Sequence, residues 1–248
     1  MGFLSDYTPQ ATQHYAGLLT TLRTRPVRNV NVDANYTWSH CIGDLVSTLG
    51  SAGVNPNTTY HIPGNRGFDM GNCDVDRRHV FNLTGVGELP QFANRTLRMI
   101  GSGWRVSVIH KRASGAPLNL IVGDDVALNG TINQRPNQVL GNGYAKKSAG
   151  PMELYLNPEA FQRPTTGTMG NMGRNTIVGP KTWAFDMSLS RIFNVRESQR
   201  LEVRADAFNV TNSFRATDPN VSLAGTFFGQ LRGSMDPRIM QFALKYIF

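Results

Sequence analysis

The most reactive side chains of this sequence are two cysteines, Cys41 and Cys73, together with five histidines. A cysteine nucleophile needs a base nearby, and His40 and His79 flank the two cysteines across one long segment. Neither histidine lies in a nucleophile motif, and no Cys or His pair has the spacing of a zinc site. We therefore predict no catalytic residue, no metal ligand and no cofactor, and we interpret His40 and His79 as hydrogen-bonding groups.

Acidic and glycine-rich stretches offer weaker candidate sites. Residues 71–76 and 123–125 carry carboxylates, but neither has the alternating carboxylates, central glycine and distal Glu of a calcium loop. We interpret these acids as solvated loop residues. The glycine-rich run at 167–173 follows no strand and opens no helix, so it does not indicate a phosphate site. The chain is predicted not to be an enzyme.

The two cysteines are 32 residues apart, and two interpretations stay open. They are either free thiols or a disulfide that closes a long loop. The disulfide needs an oxidising compartment, so we predict it on the condition that the chain is exported.

The elements that position these residues are predicted to be β-strands. Residues 29–39 alternate strictly between apolar and polar side chains, and a period of two over ten residues indicates a strand. The same alternation recurs along the chain and predicts seven strands, most of them about ten residues long. The other six lie at 14–24, 79–89, 103–122 (kinked but not ended by SGAP at 114–117), 183–190, 201–208 and 240–248.

The connections between these strands alternate in length. Those at 25–28, 90–102 and 195–200 are short or modest, whereas 41–78, 123–182 and 213–237 are long. Compact soluble domains rarely carry unstructured loops above about 15 residues. Short turns on one side and long loops on the other are typical of a transmembrane barrel. We predict an all-β antiparallel meander that forms a partial transmembrane β-barrel, with short periplasmic turns and long outer loops.

The charge balance is basic, with 25 Lys and Arg against 17 Asp and Glu and a net charge of +8. A nucleic-acid partner needs clustered cations with interleaved aromatic residues on one face. Here the cations lie at turns and loop bases, so we predict anionic lipid headgroups as the partner and no nucleic acid.

The chain ends in an aromatic pair on an alternating strand, Tyr246 and Phe248. Aromatic rings favour the membrane interface. A terminal Phe on such a strand resembles the C-terminal signal read by the barrel assembly machinery, which is therefore a predicted partner.

Several stretches, taken in order, resemble the C-terminal part of the barrel of TonB-dependent receptors, in particular the Oar-like group. The resemblance covers residue 14 to the end, and the ordered set is more specific than any single piece. The stretches are NYTWSH at 35–40, DRRHVFN at 76–82, GW at 103–104 followed by SGAP at 114–117, QRPN at 134–137, LNPEAF at 156–161, GTMGNMGRN at 167–175, RLEVRADAFNVTN at 200–212 and PRIMQFALKYIF at 237–248.

The resemblance implies an outer-membrane barrel of 22 strands filled by an N-terminal plug, in a class of proteins that takes up bulky nutrients. Seven strands are about a third of such a barrel, so we expect a truncated reading frame or the end of a split gene. On this view residues 1–13 are the remnant of an outer loop, and residues 14–248 are the C-terminal barrel segment. The implied partners are the missing N-terminal barrel and plug, with TonB reached only through the plug. The chain alone is then not transport-competent.

Contact with lipid requires the apolar face of each strand, so the alternation assigns side chains to the two sides of the barrel wall. The residues predicted to face lipid are Trp183, Phe185, Met187, Leu189, Leu201, Val203, Phe242 and Leu244. The residues predicted to face the lumen are Asp33, Arg105, Asp186, Glu202, Arg204, Asp206 and Lys245.

The predicted location is the outer membrane of a Gram-negative bacterium, although the first residues lack the basic start and apolar core of a secretory signal. Two other functions stay open. The chain could be a soluble or secreted all-β module that binds carbohydrate, or a small autonomous outer-membrane barrel with a further strand within 123–182.

Overall fold

A computed structural model of the protein describes residues 11–24, 29–44, 60–62, 64–90, 92–132, 134–146 and 150–248. The predicted short turn at 25–28, most of the 1–13 remnant and much of the 41–78 loop lie outside these residues. Among the described residues, no helix combines the length and the apolar composition needed to cross a membrane.

Seven long strands form one antiparallel sheet, which we call the wall. All seven predicted strands are present, in sequence order, and each long strand pairs with its neighbours along the chain. The strands are β1 (Gln13–Arg23), β2 (Val30–Gly43), β4 (His79–Glu88), β5 (Trp104–Ala113), β10 (Thr182–Asn194), β11 (Arg200–Phe208) and β12 (Ile239–Ile247).

The wall is an open sheet, with β1 at one edge and β12 at the other. Every residue of these two strands is exposed. The fold is therefore that of an antiparallel barrel wall that does not close on itself. A meander of this kind leaves a row of unpaired backbone N–H and C=O groups along each edge.

The connection at 90–102 differs from the simple turn expected from the sequence. The 90–102 turn contains a short helix, α1 (Arg95–Gly101), which starts after Asn94, whose side chain accepts a hydrogen bond from the Thr96 N–H at 2.9 Å. Arg191 of β10 donates to the Met99 and Ile100 carbonyl oxygens at 2.6 and 2.7 Å. These bonds satisfy carbonyls at the end of the helix, which have no partner within it.

The predicted strand at 103–122 is wrong in its second half, because β5 ends at Ala113. The chain then forms a two-residue strand, β6 (Pro117–Leu118), which pairs with β9 (Ile177–Val178). Gly115 lies so close to the Gly179 carbonyl oxygen that a Cβ at Gly115 has no room. The β5–β10 hairpin thus continues past a kink and rises out of the wall.

The three long connections pack together into what we call the loop assembly, the described residues within 60–78, 114–181 and 209–238. Its elements are a 3₁₀ turn (Arg66–Asp69), β3 (Gly71–Asn72), β6, β7 (Asn137–Gln138), a second 3₁₀ turn (Pro158–Ala160), β8 (Phe161–Gln162) and β9. The expectation of an unstructured loop at 123–182 is therefore wrong.

The apolar core of the molecule lies in the loop assembly. Leu120 and Leu156 are fully buried, and the Phe161 and Phe228 rings meet edge to face. Of the buried apolar residues, only Cys41 belongs to a long strand of the wall. The loop assembly thus folds around its own core, whereas the wall has none.

Candidate functional site

The register of the wall gives it two chemically different faces. One face, which we call the polar face, carries all seven residues predicted to line the lumen. The pairing of β2 with β4, of β4 with β5 and of β5 with β10 places Asp33, Arg105 and Asp186 on this same side of the sheet. The same register places Glu202 opposite Lys245 and Asp206 opposite Ser188. The assignment of this face to the lumen stays a prediction.

Charges on the polar face are paired along and across strands. Arg105 donates to the Glu88 carboxylate at 2.7 Å, and Arg23 lies 3.3 Å from Asp33. The Arg204 guanidinium contacts Asp206, two residues along the same strand, at 2.9 Å. These pairs are exposed, so each contributes little to stability.

A hollow of about 380 Å³ opens on the polar face. Its lining includes Arg105, Asp186, Ser188, Glu202 and Arg204. Side chains from four neighbouring strands line this space, and charged groups of both signs are among them.

The opposite face of the wall, which we call the apolar face, carries all eight residues predicted to meet lipid: Trp183, Phe185, Met187, Leu189, Leu201, Val203, Phe242 and Leu244. In the seven long strands this face contains no Asp and no Glu. Its Arg residues lie at the two ends of the strands, Arg112 beside the loops and Arg191 beside the short turns.

Aromatic residues border the apolar face at both ends. Tyr36, Phe81 and Trp183 lie near the loop end, in register with Arg112. Trp104 and Phe193 lie at the turn end, where the Arg191 guanidinium stacks on both rings. Ten residues separate Trp183 from Phe193, about 33 Å along a strand, or roughly 25 Å across a membrane at a tilt near 40°. That span matches the apolar band of an outer-membrane barrel.

Tyr246 and Phe248 lie at the free end of β12. Their rings stack with centroids 6.1 Å apart, and Phe248 is 91% exposed. No contact tests their predicted role as an assembly signal.

The structure bonds Cys41 to Cys73, as predicted on the condition of export. Cys41 belongs to β2 and Cys73 to the loop assembly, so the disulfide ties the two regions together. Asp76 completes this junction, because its carboxylate accepts from the Cys41 N–H at 3.0 Å and contacts His40 Nδ1 at 3.2 Å. His40 and His79 both make hydrogen bonds, His79 with the Tyr36 hydroxyl at 2.8 Å.

A buried ionic cluster lies at the centre of the loop assembly. Asp69 and Arg135 are both almost fully buried and form an ion pair at 2.7 Å. His61 Nδ1 contacts the same carboxylate at 2.7 Å, and Arg135 also donates to the Phe68 and Met172 carbonyl oxygens. Burial raises the pKa of Asp69, but hydrogen bonds from His61 and Arg135 outweigh it and lower the pKa to about 2.

A second polar cluster joins two of the long loops. Asn175 donates to the Asn72 carbonyl oxygen at 2.7 Å and to the Asp74 carboxylate at 2.6 Å, and Arg174 contacts the same carboxylate at 3.0 Å. Gly71 forms a bridge with Arg174 and approaches its carbonyl oxygen so closely that a side chain at Gly71 has no room. Residues 71–74 and 174–175 therefore form a continuous polar contact between loops.

The interpretation of the loop acids as solvated is wrong for Asp76, which is buried, and incomplete for Asp74 and Asp125, which are half-buried, whereas Asp124 is exposed. Asp74 and Asp76 bind the groups named above, and Asp124 forms a bidentate pair with Arg163 at 2.6 and 2.8 Å. Asp125 accepts from the Asn129 and Gly130 N–H groups at 3.1 and 2.8 Å. These bonds outweigh the effect of burial and lower the pKa of Asp125.

Gln134 organises the turn that follows Asp125. Its side-chain amide donates to Asp125 and Asn129 at 2.9 Å, and its oxygen accepts from the Ala127 N–H at 2.7 Å. Protein groups are thus the partners of both the Asp125 carboxylate and the Gln134 side chain. Across the parts of the chain that the structure describes, no group of three His, Cys, Asp or Glu could hold a metal ion.

Asn209 fixes the third long connection at the end of β11. It is buried with a φ of 48°, a left-handed conformation that Asn tolerates. Its N–H donates to the Asp186 carboxylate at 2.9 Å, and its side chain bonds with Ser213 and the Asp236 carbonyl oxygen. Asp186, predicted to face the lumen, therefore also holds the base of an outer loop.

Sequence reasoning missed the buried polar residues that hold the loop assembly, among them Gln134, Arg135, Asn175 and Asn209. The available signal was their place in the QRPN, GTMGNMGRN and RLEVRADAFNVTN stretches, since these stretches supply the buried core and its hydrogen bonds. Their polarity argued for exposure, because alternation finds wall strands but does not identify polar groups buried between loops.

Comparisons with known proteins agree with this architecture. A family model described as an outer membrane beta barrel domain matches residues 1–241. No curated protein and no solved structure matches the chain. Since the match spans nearly the whole sequence, the chain belongs to this family of outer-membrane β-barrel proteins.

Proposed function

We propose that this chain forms part of the wall and the outer loops of a TonB-dependent receptor of the Oar-like group. The parent class takes up bulky nutrients across the outer membrane, with energy from TonB delivered through a plug. On this proposal the chain supplies about a third of the wall and does not transport alone. The barrel assembly machinery then inserts it from its C-terminal strand.

The observation that carries the proposal is the open sheet. Both β1 and β12 lie at edges, and every residue of both strands is exposed. An unpaired strand edge in lipid leaves backbone N–H and C=O groups without partners, at a cost of several kcal/mol each. Both edges then need partner strands, and on this proposal those strands belong to a larger barrel. This need supports a larger barrel.

The two faces support a role in uptake. The polar face presents charged groups such as Arg105 and Glu202 around its hollow, and this surface suits contact with a plug or a hydrated lumen. The loop assembly lies at one end of the wall and is internally well ordered by its ionic clusters. An ordered outer surface of this kind suits capture of a bulky ligand.

The histidines support a structural role, and we infer that the chain is not an enzyme. His40, His61 and His79 each contact an Asp or Tyr side chain, and His110 contacts the Ala184 carbonyl oxygen at 3.0 Å. Among the described residues, none of these ring nitrogens contacts a Ser or Cys side chain.

Photo-crosslinking at the two edges tests the proposal. A photoreactive amino acid replaces Thr20 in β1 or Ala243 in β12, and the protein is crosslinked in outer membranes of the native host. A matched control carries the same group at Ser188, in the middle of the wall, where both neighbouring strands belong to this chain.

We expect the edge positions to crosslink to a polypeptide that carries a plug and further barrel strands, and the Ser188 position to crosslink within the chain. Crosslinks between β1 and β12 of one molecule would instead show a small autonomous barrel and overturn the receptor proposal. Recovery of the protein as a folded monomer in detergent-free buffer would support the soluble carbohydrate-binding module.

A further inference from the structure

The loop end of the apolar face carries cations that have no protein partner. Arg78, Arg112 and Lys181 are all exposed, and in the described part of the chain none has a side-chain hydrogen bond or an ion pair. By contrast, Arg77, next to Arg78, donates to the Ser114 carbonyl oxygen at 3.3 Å. Among the described residues, the three rim cations thus differ from the neighbouring Arg77, which is bonded.

Two adjacent hollows hold these cations beside aromatic rings. One, of about 240 Å³, is lined by Leu18, Trp38, His40 and Arg78. The other, of about 270 Å³, is lined by Tyr36, His79, Phe81, Arg112 and Lys181.

The two hollows lie side by side on the apolar face. Trp38 of the first is in register with His79 of the second. The Tyr36 hydroxyl contacts His79 Nδ1, and the two rings stack, so the boundary between the hollows is ordered.

We propose that this rim binds the phosphate groups of phosphorylated lipid in the outer leaflet, with Arg78, Arg112 and Lys181 as the cationic ligands. Neither hollow is lined by an Asp or Glu, so the charge is of one sign and complements an anion. Guanidinium groups match phosphate geometry in a bidentate arrangement. The apolar rings beside them suit acyl chains and sugar edges at the membrane interface.

The position of the rim favours a lipid headgroup over a dissolved phosphate ion. Arg112 is in register with Phe81 and Trp183 on the face predicted to meet lipid. The next apolar-face residue of β5 toward the turn end is His110, whose ring packs against Phe81 and Phe185. A phosphate bound here therefore lies where the apolar band ends and headgroups begin. This inference rests on the proposed orientation of the apolar face toward lipid.

The test is binding of purified bis-phosphorylated lipid A, with its dephosphorylated form as the reference lipid, to the folded full chain in zwitterionic detergent. Native mass spectrometry counts the bound lipid molecules. The test variant replaces both Arg112 and Lys181 with Gln. The matched control replaces Lys111 with Gln, because Lys111 is the exposed neighbour of Arg112 on the same strand and points to the polar face.

We expect the Arg112→Gln/Lys181→Gln variant to bind bis-phosphorylated lipid A roughly 30-fold more weakly, because it removes two cations at about 1 kcal/mol each at a charged lipid surface. Lys111→Gln should bind as the parent does, and Arg112→Lys with Lys181 intact should keep most of the affinity. Arg78→Gln, on the other hollow, should weaken binding in the same direction. These side chains have no partner to lose, so folding is expected to be unchanged.

Three results would overturn the proposal. The first is equal binding of the phosphorylated and dephosphorylated lipids, and the second is equal loss in the test variant and in Lys111→Gln. The third is full competition by millimolar inorganic phosphate, which would identify a site for the free ion. Each of these leaves the edge crosslinking result unaffected, so failure here is distinguishable from failure of the proposed function.

Discussion

The wall and the loop assembly bury their apolar side chains in different ways. In the loop assembly, Leu120 and Leu156 have no exposed surface, whereas Phe242 and Leu244 of the wall are 76% and 70% exposed. The charged pairs differ in burial as well. Asp69 and Arg135 are buried among the loops, whereas the charged pairs of the wall, such as Glu88 with Arg105, are exposed.

This difference indicates that the wall and the loop assembly are adapted to different solvents. A sheet of seven strands in water would need a layer packed on its apolar face. The wall has no such layer among the described residues, which is the arrangement expected of an outer-membrane barrel whose apolar face meets lipid. The loop assembly, which lies in water, must supply its own core and therefore folds like a small soluble domain.

The largest expected effect breaks the ionic centre of the loop assembly. Arg135→Ala leaves the buried Asp69 carboxylate without its ion pair, which should cost the loop assembly about 3–5 kcal/mol of unfolding free energy. Protease cleavage within 114–181 should appear at denaturant concentrations at which the wall stays intact in detergent. Arg163→Ala, which removes an exposed pair, is the control and should change little. Equal effects would contradict the distinction between buried and exposed pairs.

Truncation of leucine sharpens the comparison between the two solvents. Leu156→Ala should destabilise the loop assembly by about 3 kcal/mol, because it leaves a cavity in a packed core. Leu244→Ala on the wall should cost less, about 1–2 kcal/mol, because lipid chains fill the space. Urea unfolding in lipid vesicles measures both. A larger loss at Leu244 would show that the apolar face packs against protein.

The disulfide is the covalent link between the two regions. Replacing Cys41 and Cys73 with Ser together should lower the unfolding free energy of the loop assembly by about 2–4 kcal/mol, since the crosslink closes a 32-residue loop. Thermal unfolding of parent and variant gives this difference. In the parent protein both thiols should resist maleimide until a reductant is added. Quantitative labelling without reductant would contradict the bond.

A charge placed on each face of one strand tests which face meets lipid. Leu189→Arg on the apolar face should cost about 2–4 kcal/mol, whereas Ser188→Arg on the polar face should cost much less, since Ser188 lines the hollow beside Asp206. Refolding yield and urea midpoint in vesicles measure the difference. A larger cost for Ser188→Arg than for Leu189→Arg would mean that the polar face meets lipid, and it would contradict the lumen assignment.

The smallest effect is a pH dependence confined to the loop assembly. The folded pKa of Asp69, about 2, lies below its ordinary value of 3.8. Its contribution to stability is therefore complete above pH 3.8 and is lost as the pH falls through about 2. Hydrogen exchange at residues 134–138 should rise over this range, and Asp69→Asn should flatten the profile. An unchanged profile in the variant would assign the transition to another group.

The seven wall strands could be predicted from sequence because alternation is a local pattern. The seven lumen candidates and the eight lipid candidates each share one face, since a period of two assigns faces once the register is continuous. The ends of two strands differ from the prediction, because β2 extends to Gly43 and β5 ends at Ala113. The end of β2 pairs with β3, and the segment after β5 forms β6, which pairs with β9; the alternation of side chains does not report such pairing.

The loop assembly could not be predicted in the same way. Its core joins residues far apart in sequence, such as Leu118 with Leu156 and Ile177, and its polar centre joins Asp69 to Arg135. The periodicity of apolar residues along the sequence does not predict such long-range contacts. Only the resemblance motifs marked these residues, and they did so without showing that Gln134 or Asn175 is buried.

The continuation of the β5–β10 hairpin through β6 and β9 has a mechanical consequence. A pull on the 114–181 loop along the strand axis draws β5 and β10 in the same direction, so it loads the nine residue pairs of β5 with β4 and the eight pairs of β10 with β11 together. Hydrogen bonds perpendicular to the strands then carry the force in shear, and many must rupture at once before the hairpin slides. A force applied to the loop assembly would thus strain both ladders as a unit and would not break their hydrogen bonds one at a time.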